Sequence, residues 1–126
     1  MPYALVIDDN RQTAEALVRI LKIWDIPAKI LLNPGSVEIP VGEEIPKIVF
    51  LDVNMPHVSG LDVLDYIKKN PKLHQVPVVI VTSDDQVETG RRALDSGATT
   101  ILIKPVMPDL IENALMKAGI LTKPGN

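Results

Sequence analysis

A chain of 126 residues, 46% hydrophobic and 23% charged, suits one compact domain and is too apolar for disorder; aromatics at 3% leave the core mostly aliphatic. A net charge of −3, with no basic cluster larger than Arg91-Arg92 or Lys68-Lys69, argues against a nucleic-acid surface. Disulfides and thiolate metal sites are excluded by the lack of cysteine, no apolar stretch nears the roughly 20 residues that cross a bilayer, and no secretory leader is visible, so a soluble cytoplasmic domain is expected.

The first apolar run, YALVI (3–7), ends in Asp8-Asp9. A helix follows over 11–24, where Ala14, Leu17, Val18 and Leu21 recur at i, i+3, i+4 and i+7 and line one face. The second run, AKILL (28–32), ends in Asn33-Pro34 and offers nothing ionisable. NPGSVEIPVGEEIP (33–46) then holds three prolines and two glycines and has no helical stripe. A crossover between parallel strands usually contains a helix of about ten residues, so a short distorted helix or an irregular loop is expected here. The third run, KIVFL (47–51), meets Asp52, Val53, Asn54, Met55 and Pro56. Leu61, Leu64 and Ile67 predict a helix over 60–69. The fourth run, VPVVIV (76–81), ends in Thr82-Ser83. Val87, Ala93 and Leu94 mark a helix over 86–96. Gly90 interrupts it at a cost of about 1 kcal/mol relative to alanine, either tolerated or a softness that lets the helix shift. The fifth run, TTILI (99–103), ends in Lys104-Pro105. Ile111, Ala114, Leu115 and Ala118 predict a last helix over 108–118, with Gly119 as its stop. A domain over 1–120 with a tail at 121–126 is expected.

Most of these runs are continuous rather than alternating, the mark of strands buried on both faces. Alternation with helices implies right-handed crossovers and a three-layer, doubly wound α/β domain with a five-stranded parallel sheet. In such a sheet the C-terminal strand ends share one edge, where open α/β folds place their sites. With the order 2-1-3-4-5, the ends carrying Asp8-Asp9, Asp52, Thr82 and Lys104 are neighbours, and the silent second strand is remote. Three carboxylates in one pocket repel, and a divalent cation removes that cost. Oxygen ligands alone point to a hard ion such as Mg2+. Lys104 can pair with an anion and Thr82 offers a hydroxyl, so the set suits a phosphoryl group with one aspartate as nucleophile. Taken singly each residue has a plainer role. Asp9 or Asn10 can cap the first helix, Asp52 can make a turn, Thr82 can be an ordinary strand residue and Lys104 a solvated one. Their joint placement at four of five strand ends is what outweighs those roles. His57 and His74 read as surface residues, Met55 and Met107 as packing residues or loop hydrophobics.

VIDDN (6–10), FLDVNMP (50–56), VTS (81–83) and IKP (103–105) occur in an order and spacing that resemble the receiver domain of two-component response regulators, the chemotaxis type included, from Tyr3 to about Ala118. The resemblance implies a flavodoxin-like receiver fold. It implies a signalling phosphoacceptor rather than an enzyme, catalysing only its own phosphorylation and dephosphorylation. Asp52 would take phosphate from a sensor histidine kinase or a histidine phosphotransfer protein and switch a protein-interaction surface. Mg2+ or Mn2+ would be held by Asp8, Asp9, Asp52 and the backbone carbonyl of Asn54. Thr82 and Lys104 would contact phosphoryl oxygens, and the Lys104–Pro105 bond would be cis. Asn54 and Asp84 stand where the family tunes access of hydrolytic water, and Ser83 where it commonly has alanine. Two features depart from the family: Ile101 replaces a phenylalanine or tyrosine that moves inward on activation, and 33–46 replaces a regular second helix. The output would be a downstream protein or an effector domain absent from this chain, with no direct nucleic-acid or membrane contact. A homodimer through the last two helices and the fifth strand is common in the family and not readable in this sequence. Two other readings stay open. One is a receiver-like interaction module working without phosphorylation. The other is a phosphatase of the haloacid dehalogenase type, which wants an acid where Asn54 stands.

Overall fold

The computed structural model describes residues 3–32, 39, 44–56, 58–83 and 87–122. In chain order these form β1 (Ala4–Ile7), α1 (Arg11–Leu21), a 3-10 turn at Lys22–Trp24, β2 (Ala28–Leu31), β3 (Ile48–Leu51), α2 (Gly60–Lys69), β4 (Val78–Thr82), α3 (Val87–Asp95), β5 (Thr100–Ile103) and α4 (Pro108–Lys117). The strands make one parallel sheet in the order β2-β1-β3-β4-β5, the order expected. Most of the 33–46 segment lies outside the described residues. Within it Ile39 and Pro46 are buried, and Ile39 packs with the α2 and α3 side of the sheet.

Alternate strand residues feed two separate cores. Val6, Ile48, Phe50, Val79 and Val81 face α1 and α4, where Leu17, Leu21, Ile111 and Leu115 close over them. Ile7, Val49, Leu51, Val78 and Ile80 face α2 and α3, where Val63, Leu64, Ile67 and Ala93 cover them. β3 and β4 are therefore buried at every residue, which is why their sequences are continuous apolar runs. β2 lies at one edge, and Lys29 and Ile30 on it are exposed.

The helix ends follow local chemistry. α1 is shorter than the helix expected over 11–24, because the chain tightens into the 3-10 turn and then reverses at Asp25, whose φ of 56° aspartate tolerates better than most residues. Gly119 has φ 78° and stops α4 as expected, with the Ile120 N–H donating to the carbonyl of Leu115. Among the described residues no helix is long and apolar enough to cross a membrane.

Register, rather than strand order alone, brings the strand ends level. Ile7 pairs with Leu51, so Asp8 and Asp52 are each one residue past the ladder on adjacent strands. Thr82 pairs with Ile103, so Lys104 is one step beyond Thr82. The ladder runs on into these residues: the Asp52 N–H donates to Ile7 (2.9 Å) and the Lys104 N–H to Thr82 (2.8 Å).

Candidate functional site

Asp8, Asp52 and Thr82 are the described polar residues that the fold buries, at 1%, 3% and 1% exposure. Each is held by its neighbours. Asp8 accepts the N–H of Asn10 on Oδ1 (2.9 Å) and pairs through Oδ2 with Lys104 Nζ (3.1 Å). Asn10, not Asp9, caps α1, accepting the Thr13 N–H at 3.0 Å. The half-buried Asp9 is left to the acidic cluster: one carboxylate oxygen from each of Asp8, Asp9 and Asp52 lies within 4.8 Å of the others.

Asp52 accepts the N–H of Asn54 on Oδ1 at 3.2 Å, and its Oδ2 lies 3.8 Å from Lys104 Nζ. Burial, and then the adjacent charge of Asp8, push the Asp52 carboxyl up to about 7 against the opposing pull of Lys104 and the Asn54 N–H. One ammonium thus serves two buried carboxylates and sits closer to Asp8. The donor set of three hard oxygen ligands with one lysine to balance them can hold a divalent cation.

Thr82 Oγ1 accepts a hydrogen bond from Asn54 Nδ2 at 3.3 Å. Ser83 beside it is exposed, and Asp84 lies outside the described residues. The Lys104–Pro105 peptide is cis, as expected, and Pro105 is exposed. Ile101 is half-buried on β5 and faces α3, where its Cδ1 fills the notch left by Gly90, 3.3 Å from the position a Cβ there would take. His74 is exposed, and His57 lies outside the described residues.

Two features of the site escaped the sequence. One is the bond between Asn54 and Thr82, which joins residues 28 apart. The other is Gly60. The loop after Asp52 closes through an Asn54–Ser59 bridge and a hydrogen bond from the Gly60 N–H to Val53 (2.9 Å), which sets the first residue of α2 flush on the backbone. A Cβ at Gly60 would collide with the carbonyl oxygen of Asp52 and the Cα of Val53. The available signal was a glycine opening a helix, a position where it lowers helix stability and so implies close approach.

Residues 4–116 match the family model described as response regulator receiver domain. A curated relative, the two-component response regulator ORR7 of Oryza sativa subsp. indica, is 34% identical over 109 residues. That match spans 84% of this chain but only 50% of the relative. Among solved structures, a CheY-like receiver domain protein from Methanospirillum hungatei superposes with a TM-score of 0.79 at 22% identity over 94% of each chain. A response regulator from Burkholderia pseudomallei, solved with a phosphorylated aspartic acid and a calcium ion, gives 0.77 at 22% identity, over 95% of this chain and 71% of that one. At these identities the structural likeness speaks for the fold.

Proposed function

The chain belongs to the response regulator receiver domain family, and from that premise we propose that Asp52 is its phosphoacceptor, taking a phosphoryl group from a phosphohistidine donor. The observation that carries the proposal is the convergence of Asp8, Asp9, Asp52 and Lys104, with a buried hydroxyl on the next strand. Asp8, Asp9, Asp52 and the backbone carbonyl of Asn54 would hold Mg2+. When bound, the ion supplies the positive charge that lets all three carboxylates stay ionised and offsets charge on the phosphoryl group.

The residues of the chain divide the remaining work. The Asn54 N–H fixes one oxygen of the Asp52 carboxylate and so sets its plane. An Asp52 oxygen attacks phosphorus, the P–N bond to the donor imidazole breaks, and its electron pair leaves on that nitrogen. A mixed carboxylic–phosphoric anhydride forms, which water later hydrolyses. Lys104 can exchange its Asp8 partner for a phosphoryl oxygen, and Thr82 can donate to another. Asn54 and Ser83 are exposed beside Asp52 and Thr82 and would tune the lifetime of the phosphorylated state, a role that Asp84 would share by its position in the family, while the aliphatic Ile101 would not report the switch as an aromatic ring does.

A sensor histidine kinase or a histidine phosphotransfer protein would be the donor, in the cytoplasm. A downstream protein or an effector domain outside these 126 residues would read the change, and a homodimer is a further form of output. The family match at 4–116 and the end of α4 at Lys117 support a domain over 1–120 with a tail at 121–126. Phosphoramidate, whose P–N bond is that of phosphohistidine, tests the proposal. With Mg2+ it should give a label that hydroxylamine removes, and none with EDTA or in Asp52→Asn. A hydroxylamine-stable label, or an equal label in the variant, would move the acceptor elsewhere.

A further inference from the structure

We propose that the Asn54 side chain is a positioning residue for Thr82, setting the direction in which the Thr82 hydroxyl donates. The inference rests on Asp52 being the phosphoacceptor and concerns how the residue two positions on acts. Position alone suggests that Asn54 screens water from Asp52. The geometry gives it a different partner. Its Nδ2 donates to Thr82 Oγ1 at 3.3 Å, while its backbone N–H donates to Asp52 Oδ1 at 3.2 Å. One residue is therefore tied to the nucleophile by its main chain and to the neighbouring hydroxyl by its side chain.

A threonine hydroxyl has one hydrogen and two acceptor positions. With an amide N–H on one acceptor position, the hydroxyl hydrogen is turned away from Asn54. Donation by the amide also polarises the O–H bond and strengthens it as a donor. A run of amide, hydroxyl and phosphoryl oxygen then places a directed donor where charge develops during transfer. The arrangement is braced on both sides. Asn54 is bridged to Ser59, and Gly60 is pressed onto the Asp52 carbonyl. Thr82 is 1% exposed at the end of β4, and its carbonyl accepts the Lys104 N–H. Because Asn54 is itself exposed, its side chain can be shortened without opening a core cavity. The backbone carbonyl proposed as a metal ligand survives any such substitution, so the two roles separate.

The test is a double-mutant cycle on the initial rate of labelling by acetyl phosphate with Mg2+, followed by intact-protein mass spectrometry. Labelling of the wild type is the control: its absence would fail the phosphoacceptor reading, whatever Asn54 does. Asn54→Ala should slow labelling about fivefold, the scale of one net hydrogen bond. The slowing should vanish in the Thr82→Val background and persist in Thr82→Ser, which keeps the hydroxyl. Equal slowing with and without the hydroxyl would show that Asn54 acts independently of Thr82 and overturn the proposal, as would no slowing at all. Three-bond couplings of the Thr82 methyl carbon give a readout that needs no labelling. They should show χ1 held as one rotamer by packing in both proteins, so that the Thr82 hydroxyl-proton-to-Hβ coupling reads the O–H direction alone: one rotamer in the wild type and averaging in Asn54→Ala, an unchanged single O–H rotamer overturning the proposal.

Discussion

Asp8, Asp9 and Asp52 bring carboxylate oxygens within 4.8 Å of one another, and among the described residues Lys104 is the one cation paired with the two that are buried. The consequence for Asp52 is a carboxyl raised from an ordinary 3.8 to about 7. A raised native pKa means that the folded chain holds this proton more tightly than the unfolded chain. Its stabilising contribution is complete below about pH 4 and is lost as pH rises to about 7. Without metal, the melting temperature is therefore expected to fall across that window, and Asp52→Asn to flatten the fall. Mg2+ binds the ionised form, so its stabilising effect should be greatest at the upper end. Thermal melts of both proteins at pH 4 to 8, with EDTA and with Mg2+, check this. A wild-type melting temperature that rises with pH through the window, once the Asp52→Asn profile is subtracted, would contradict the ionic account of the site.

At the scale of elements, α2 is placed by the contact of Gly60 with the Asp52 backbone. Gly60→Ala improves helix propensity by about 1 kcal/mol, yet it drives a Cβ into main-chain atoms that cannot rotate away. The collision should win, with a net loss of about 1–3 kcal/mol in urea unfolding and a disturbed Asp52 carbonyl. A neutral or stabilising Gly60→Ala would mean that α2 does not sit this close. The elements themselves were largely legible, because the helices carry a periodic apolar stripe and the strands an apolar run. Ala14, Leu17 and Leu21 repeat with the helix, and the unbroken IVFL of β3 marks burial on both faces. What was not legible depends on how elements meet. A helix was expected as far as Trp24, but α1 ends at Leu21, where the chain tightens into the 3-10 turn and Asp25 takes a left-handed conformation. Whether Asp9 or Asn10 caps α1 was undecided in the sequence, since both have the chemistry; the fold places Asn10 Oδ1 on the Thr13 N–H and holds the Asn10 N–H on Asp8.

For the whole molecule, the strand order and the parallel register convert four distant sequence motifs into one edge. Asp8, Asp52, Thr82 and Lys104 were all legible as strand-end residues, and the expected order 2-1-3-4-5, which makes their ends neighbours and leaves the silent end remote, is the order of the sheet. Their pairings were not legible. That Lys104 lies nearer Asp8 than Asp52, and that Asn54 reaches Thr82, are matters of side-chain geometry across β1, β3, β4 and β5. The site hangs on a sheet clamped between two aliphatic cores, so stability and chemistry should separate. Leu115 is fully buried on the α4 side. Leu115→Ala should cost about 2–5 kcal/mol in urea unfolding while leaving the extent of phosphorylation unchanged well below its melting temperature. Loss of phosphorylation in a folded Leu115→Ala protein would show that the α1 and α4 core tunes the site directly.

The central claim is that Asp52 accepts the phosphoryl group. Intact-protein mass spectrometry after incubation with acetyl phosphate, with and without Mg2+, on the wild type and Asp52→Asn tests it most directly. A single Mg2+-dependent phosphoryl adduct on the wild type, absent from the variant, is the expected result. No adduct on a folded wild type under any of these conditions, or the same adduct on Asp52→Asn, would contradict it.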